Sequence, residues 1–250
     1  AAAVRNSLKS GWLSPSARTP LNSEIGPNRR LDWSEVPLDE IKEIKNILGG
    51  TVNDVVLATV AGAVRHFLEV ERDFPVEGLD YRVMAPVSVR KPSQRGQLGN
   101  QVAMWLVSLP VHEADPVRRL EQIAAETQHL KDTDQALGAS TLVELSSGTP
   151  IPLLSIANRV ASAAIRPFNM TVTNVPGPQF PMYLLEAKMV ANYPIVPLWA
   201  QHGVGIALFS YDGRLLWGVH ADYDALPDSQ AFIASIHHSF KTLQNAARRA

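Results

Sequence analysis

Gly50-Thr51-Val52-Asn53-Asp54-Val55-Val56-Leu57-Ala58 reads as the start of a helix with almost no polar side. Thr51 stands at an N-cap position, and Asp54, three residues on, reaches back to it as in a capping box. The pattern continues to Leu68, and residues 55–64 carry no charge between Asp54 and Arg65, with Thr59 the one polar side chain. A helix apolar on most sides is expected inside the protein. Just before it, Leu38, Ile41, Ile44 and Leu48 fall at helical spacing and Gly49-Gly50 stops that helix.

The rest follows outward from this helix. Residues 81–89 alternate and are β-rich, and residues 102–109 form a second strand pattern. Asp115-Pro116 caps a helix running to Lys131, with proline at its first position. Residues 151–165 read as an apolar helix, and residues 169–174 as a short strand that stops at Val175-Pro176-Gly177-Pro178. Asp212-Gly213 between residues 204–211 and 215–220 is a hairpin signal. From Ser229, Phe232, Ile233, Ile236, Phe240 and Leu243 line one face of a closing helix. Helices and strands interleave without a βαβ rhythm, so the expected class is α/β (α+β), a mixed β-sheet covered by helices. Residues 1–36, rich in Pro, Gly, Ser and Asn, read as a lead-in, with order beginning near Pro37 and one domain over residues 37–250.

Composition removes several classes of function. The 250 residues carry 23 Lys and Arg against 24 Asp and Glu, a net charge of −1, which gives no general attraction to nucleic acid. No basic stripe interleaved with aromatics appears either. With 46% hydrophobic residues, wholesale disorder is excluded. The absence of cysteine rules out thiol nucleophiles, disulfides and cysteine-ligated zinc. The run 55–64 falls short of the ~20 residues of a membrane span. Ala1-Ala2-Ala3-Val4-Arg5 does not read as a signal peptide, so a cytoplasmic chain is expected. Gly203-Val204-Gly205 lacks the third glycine of a dinucleotide fingerprint, and His112-Glu113 lacks a second histidine at metalloprotease spacing; no metal site is expected.

Three stretches carry polar groups in patterns that suit a site. Asn53 and Asp54 open the buried helix, either as a plain cap or as a polar pair aimed at a neighbouring site. In Asn169-Met170-Thr171-Val172-Thr173-Asn174, the Thr171 and Thr173 hydroxyls share a strand face next to an amide. They suit a developing oxyanion, or simply make a Thr-rich strand. Met84-Ala85-Pro86-Val87-Ser88-Val89-Arg90 ends in Arg90 and Lys91, placed for a phosphate or for solvent.

Together with Pro20-Leu21-Asn22, Leu98-Gly99-Asn100 and Asn174–Pro178, these stretches give the chain its likeness from about residue 18 to residue 247. It resembles the C-terminal half of the bacterial wax ester synthase/diacylglycerol acyltransferase family. The resemblance implies a chloramphenicol acetyltransferase-like half of a two-half enzyme. Such an enzyme moves a long-chain acyl group from acyl-coenzyme A, a substrate with no further cofactor, to diacylglycerol or a long-chain alcohol. It implies that Thr171, Thr173 or Asn174 contacts the oxyanion or the pantetheine arm, that Asn53 and Asp54 organise the site, and that Arg90 and Lys91 bind coenzyme A. Residues 1–36 become the linker between halves. Water-insoluble acceptors imply a chain peripheral to the inner membrane or a lipid droplet.

The family's His-His-x-x-x-Asp-Gly motif is missing. His237-His238 is followed at that spacing by Thr242 and Leu243, so the general base is expected in an N-terminal half and no catalytic residue in this chain. His220-Ala221-Asp222-Tyr223-Asp224-Ala225 keeps the His-x-x-x-Asp spacing and reads as a vestige. Two other readings stay open here. One is a non-catalytic lipid- or partner-binding domain of the same fold; the other is a self-sufficient enzyme using His220.

Overall fold

The computed structural model describes residues 14–88, 102–133 and 166–250. A six-stranded mixed sheet runs in the order β1-β8-β7-β4-β2-β3. Its strands are β1 (Arg29–Pro37), β2 (Tyr81–Ser88), β3 (Val102–Leu109), β4 (Met170–Pro176), β7 (Val204–Tyr211) and β8 (Arg214–Asp222). A separate two-stranded ribbon joins β5 (Tyr183–Leu184) to β6 (Ala187–Lys188). The helices are α1 (Leu38–Leu48), α2 (Val52–His66, continued by a π turn Phe67–Glu71), α3 (Pro116–Asp132) and α4 (Ser229–Ala247).

At the centre, β4 pairs in parallel with both β2 and β7, while the β2–β3, β7–β8 and β1–β8 pairs are antiparallel. The hairpin β7–β8 closes on Asp212 and Gly213, at φ 45° and 78°, as the Asp-Gly pair predicts. In α2, every residue from Asp54 to Val64 is buried. Its aliphatic side chains pack with Met170, Val172, Val204, Ile206 and Val219 of the sheet and with Phe232, Ile236 and Phe240 of α4. Burial contributes about 1.5–3 kcal/mol for each such side chain. The sheet thus has one face under the helices.

The other face is covered differently. A second cluster of Met84, Leu106 and Phe168 sits there. Over β7 and β8 runs an irregular strap, residues 189–200. Gly218 and Gly205 let it lie against the sheet, since a Cβ would fall 1.8 Å from Pro194 O at Gly218 and 2.6 Å from Val196 Cγ1 at Gly205.

Order begins well before Pro37, which corrects the lead-in reading. Ser16, Thr19 and Leu21 are buried. Asn22 Nδ2 donates to the carbonyls of Asn169 at 2.9 Å and Gln201 at 3.2 Å, and residues 29–37 form the edge strand. The buried Asp222 holds this segment, accepting from Gly26 N at 2.8 Å and Arg29 Nη1 at 3.3 Å. The expected helix at 151–165 lies outside the described residues, as do Arg90, Lys91 and Leu98-Gly99-Asn100. Among the described residues, no single helix is long and apolar enough to cross a membrane.

Candidate active site

The capping box at α2 forms as its sequence requires. Asp54 N donates to Thr51 Oγ1 at 3.2 Å, and Asp54 Oδ2 accepts from Thr51 N at 2.7 Å. Asp54 does more than cap. Its second oxygen accepts from Thr127 Oγ1 of α3 at 2.7 Å, so one buried carboxylate fixes α2 against α3. The contacts shown are structural: both carboxylate oxygens accept from protein donors.

Asn53 and Asn174, 121 residues apart, meet in front of this helix: Asn174 Nδ2 donates to Asn53 Oδ1 at 2.8 Å. Asn174 Oδ1 is buried without a partner. Around the pair opens a cavity of about 580 Å³, reached by Lys42, Thr51, Lys131, Gln179 and Ser210. It lies beyond the carboxyl ends of the parallel strands β4 and β7, where open sheets with helical crossovers bind ligands. Lys42 and Lys131 are exposed and project from α1 and the end of α3. Nothing in their local sequence marks them, because two separate elements bring them to one rim. Two ammonium groups beside a helix N-terminus suit an anionic ligand.

The structure divides the trio Thr171, Thr173 and Asn174. Met170 and Val172 belong to the core under the helices, so alternation turns Thr171 and Thr173 to the opposite face and Asn174 back to the helix side. Thr171 is 2% exposed and its hydroxyl has no partner. It neighbours Met84 and Gly205 in the sheet, and Thr173 neighbours Ala207. The three residues therefore serve two surfaces of one strand and not a single oxyanion cluster.

All seven histidines lie among the described residues. His202 is buried between the carbonyls of Ala200 at 2.7 Å and Phe168 at 2.9 Å, and burial holds it below the ordinary imidazole range. His220 gives Nδ1 to Val196 O of the strap at 2.7 Å. His237 meets Ser34 Oγ at 2.8 Å, and His66 meets Ser235 Oγ at 3.0 Å. Among the described residues none forms an ion pair with a carboxylate, and no group of three or more His, Asp or Glu side chains is placed to hold a metal.

The family described as "WS/DGAT C-terminal domain" matches residues 98–244. The chain belongs to the wax ester synthase/diacylglycerol acyltransferase family. The family's catalytic domain matches residues 1–56 as well. Among relatives, the probable diacylglycerol O-acyltransferase tgs2 of Mycobacterium tuberculosis is 33% identical over 226 residues, 90% of this chain and 49% of the relative. The tgs1 protein of the same organism, also named a probable diacylglycerol O-acyltransferase, is 29% identical over 250 residues, 100% of this chain and 54% of its own. The chain thus spans about half the length of the relatives it matches. The wax ester synthase/diacylglycerol acyltransferase of Marinobacter aquaeolei VT8 shares the fold, with a TM-score of 0.70 and 24% identity over 98% of this chain and 56% of that one. So does the starter condensation domain of rhizomide synthetase, solved with C8-coenzyme A, at a TM-score of 0.58 and 12% identity over 98% and 51%. A chloramphenicol acetyltransferase-like half is therefore the fold, as the sequence resemblance implied.

Proposed function

We propose that this chain is the C-terminal half of an O-acyltransferase that moves a long-chain acyl group from acyl-coenzyme A to diacylglycerol or a long-chain alcohol. The observation that carries the reading is its membership of the family over half the length of its relatives, with no histidine here set up as a base. In this reading the N-terminal half contributes the His-His-x-x-x-Asp-Gly base. That base takes the acceptor hydroxyl proton as the oxygen attacks the thioester carbonyl; the carbon–sulfur bond breaks, and the coenzyme A thiolate leaves and regains the proton. Thr171 and Thr173, on the face away from the helices, are proposed to donate to the carbonyl oxygen or to the pantetheine arm.

The segment around the ribbon and the strap offers a seat for an N-terminal half. Phe180, Tyr183, Leu184, Leu185, Val190 and Trp199 are all more than half exposed within 20 residues of chain. Trp33 of β1 joins them, stacking on Tyr193 with ring centroids 5.7 Å apart. An apolar patch of this kind marks an interface, and the relatives' additional length supplies an occupant.

The phosphates of acyl-coenzyme A fit the cavity at Asn53 and Asn174, with Lys42 and Lys131 as counter-charges. The Lys42→Glu, Lys131→Glu double variant of the complete enzyme is expected to raise KM for palmitoyl-coenzyme A roughly tenfold, with KM for the acceptor unchanged. Steady-state kinetics with each substrate varied in turn checks this. An unchanged KM for the acyl donor contradicts the placement.

A further inference from the structure

Three helices close on a second, smaller cavity of about 190 Å³, lined by Arg65 and His66 of α2, Arg119 of α3, and His238 and Ser239 of α4. Gly62 lets the two side chains pack closely against α2 beside this cavity: a Cβ there would fall 2.2 Å from Ser239 Oγ and 2.5 Å from Arg119 Nη1. Two donors from different helices therefore lie against the same glycine at the cavity wall. Ser239 is 3% exposed, and its hydroxyl has no hydrogen-bond partner. A buried polar group left this way is costly and calls for an occupant. Arg119 is 5% exposed. Its Nε and Nη2 are used on the carbonyls of Glu113, at 3.1 and 2.8 Å, and Ala114, at 3.1 Å, while Nη1 is the nitrogen turned toward Gly62. No carboxylate forms an ion pair with it among the described residues. At the mouth, His66 and His238 stack with ring centroids 4.3 Å apart.

We propose that this cavity binds a small tetrahedral oxyanion, inorganic phosphate or a phosphomonoester, with Arg119 Nη1 and Ser239 Oγ as inner donors and His66 and His238 at the rim. Such a ligand answers both features at once, the unpartnered hydroxyl and the buried guanidinium that Glu113, Asp115 and Glu69 act on from nearby without forming an ion pair. The one carboxylate in the lining, Glu69, is taken by Arg65 at 2.8 Å. The site is separate from the acyl-donor cavity and does not depend on the acyltransferase reading. It is nonetheless linked to that cavity mechanically. Gly62 lies nine residues along α2 from Asn53, about 13 Å of helix rise. Likewise α3 carries Arg119 here and Lys131 there. An anion bound between α2, α3 and α4 stiffens the two helices that frame the acyl-donor cavity.

The rim histidines make binding pH-dependent. Burial, then the neighbouring His238, holds His66 below the ordinary imidazole range, against the opposing pull of Glu71 and Glu69. Arg65 and Arg119 are the other charges lining the cavity, and Ser235 Oγ occupies His66 Nδ1. A bound anion favours the imidazolium, so occupancy raises the pH at which His66 protonates.

The test is a titration of inorganic phosphate into the intact protein at constant ionic strength, with the His66 and His238 ring resonances followed by NMR. The expected result is a saturable shift and a raised His66 midpoint, both weakened at least tenfold in Ser239→Ala and in Arg119→Met. Because Arg119 also ties down the Glu113 and Ala114 carbonyls, Ser239→Ala carries the test if Arg119→Met does not fold. Tighter saturation by glycerol 3-phosphate identifies an organic monoester as the occupant; saturation by phosphate alone identifies the free ion. A drift no larger than sodium chloride gives, or saturation unchanged in Ser239→Ala, overturns the site.

Discussion

An Asp54→Ala enzyme is expected to melt about 10 °C below the parent. The substitution removes the acceptor for Thr51 N at 2.7 Å, Thr51 Oγ1 at 2.8 Å and Thr127 Oγ1 at 2.7 Å, and the last of these donors makes the α2–α3 contact. Loss of a helix cap together with a stranded buried hydroxyl is worth about 3 kcal/mol. For a chain of this length each kcal/mol moves the midpoint by roughly 2–4 °C. Asp54→Asn keeps one acceptor oxygen and should lose about half as much. Calorimetry paired with turnover per folded molecule separates the roles. An unchanged melting point with lost turnover would show that Asp54 acts directly on the reaction.

Gly218→Ala is expected to lift the strap. Its new methyl would lie 1.8 Å from Pro194 O, whereas real contacts stay beyond about 3.0 Å, so the backbone of the strap must move by about 3.0 − 1.8 = 1.2 Å. The strap also holds His220 Nδ1 through Val196 O, and it lies within the exposed apolar surface assigned to the other half. Association with the N-terminal half should therefore weaken at least tenfold, and proteases should cut residues 189–200 faster. Gly213→Ala is the control. Nothing lies within 4 Å of its Cβ, and the cost there is the positive φ of 78° alone, about 1 kcal/mol. Normal protease resistance and normal association in Gly218→Ala would show that the strap does not position the interface.

Local signals in the sequence are legible where a local cause operates. The Thr51–Asp54 box, the Asp115-Pro116 start of α3 and the Asp212-Gly213 hairpin each follow from chemistry within four residues. β1 was not legible, because Arg29–Pro37 is an edge strand whose polar residues blur the alternation. Its partner β8 is about 180 residues away. Non-local pairing of that kind leaves no mark on the strand itself. The strap was half legible. Gly205 and Gly218 inside strands signal close approach of another backbone, yet the sequence does not say which one. The meeting of Asn53 with Asn174 was out of reach for the same reason, whereas the opposite facing of Thr173 and Asn174 follows from strand alternation alone.

The account rests on this chain being the half that lacks the base. The most direct measurement is coenzyme A release from palmitoyl-coenzyme A, with hexadecanol or diacylglycerol as acceptor. It is run on this chain alone and on the chain with an N-terminal half carrying His-His-x-x-x-Asp-Gly, with native mass recording what is associated. Turnover with both halves present and none above the uncatalysed rate from this chain alone is the predicted result. Equal turnover from a lone 27.3 kDa species, abolished by His220→Ala, would contradict it and place the base in this chain.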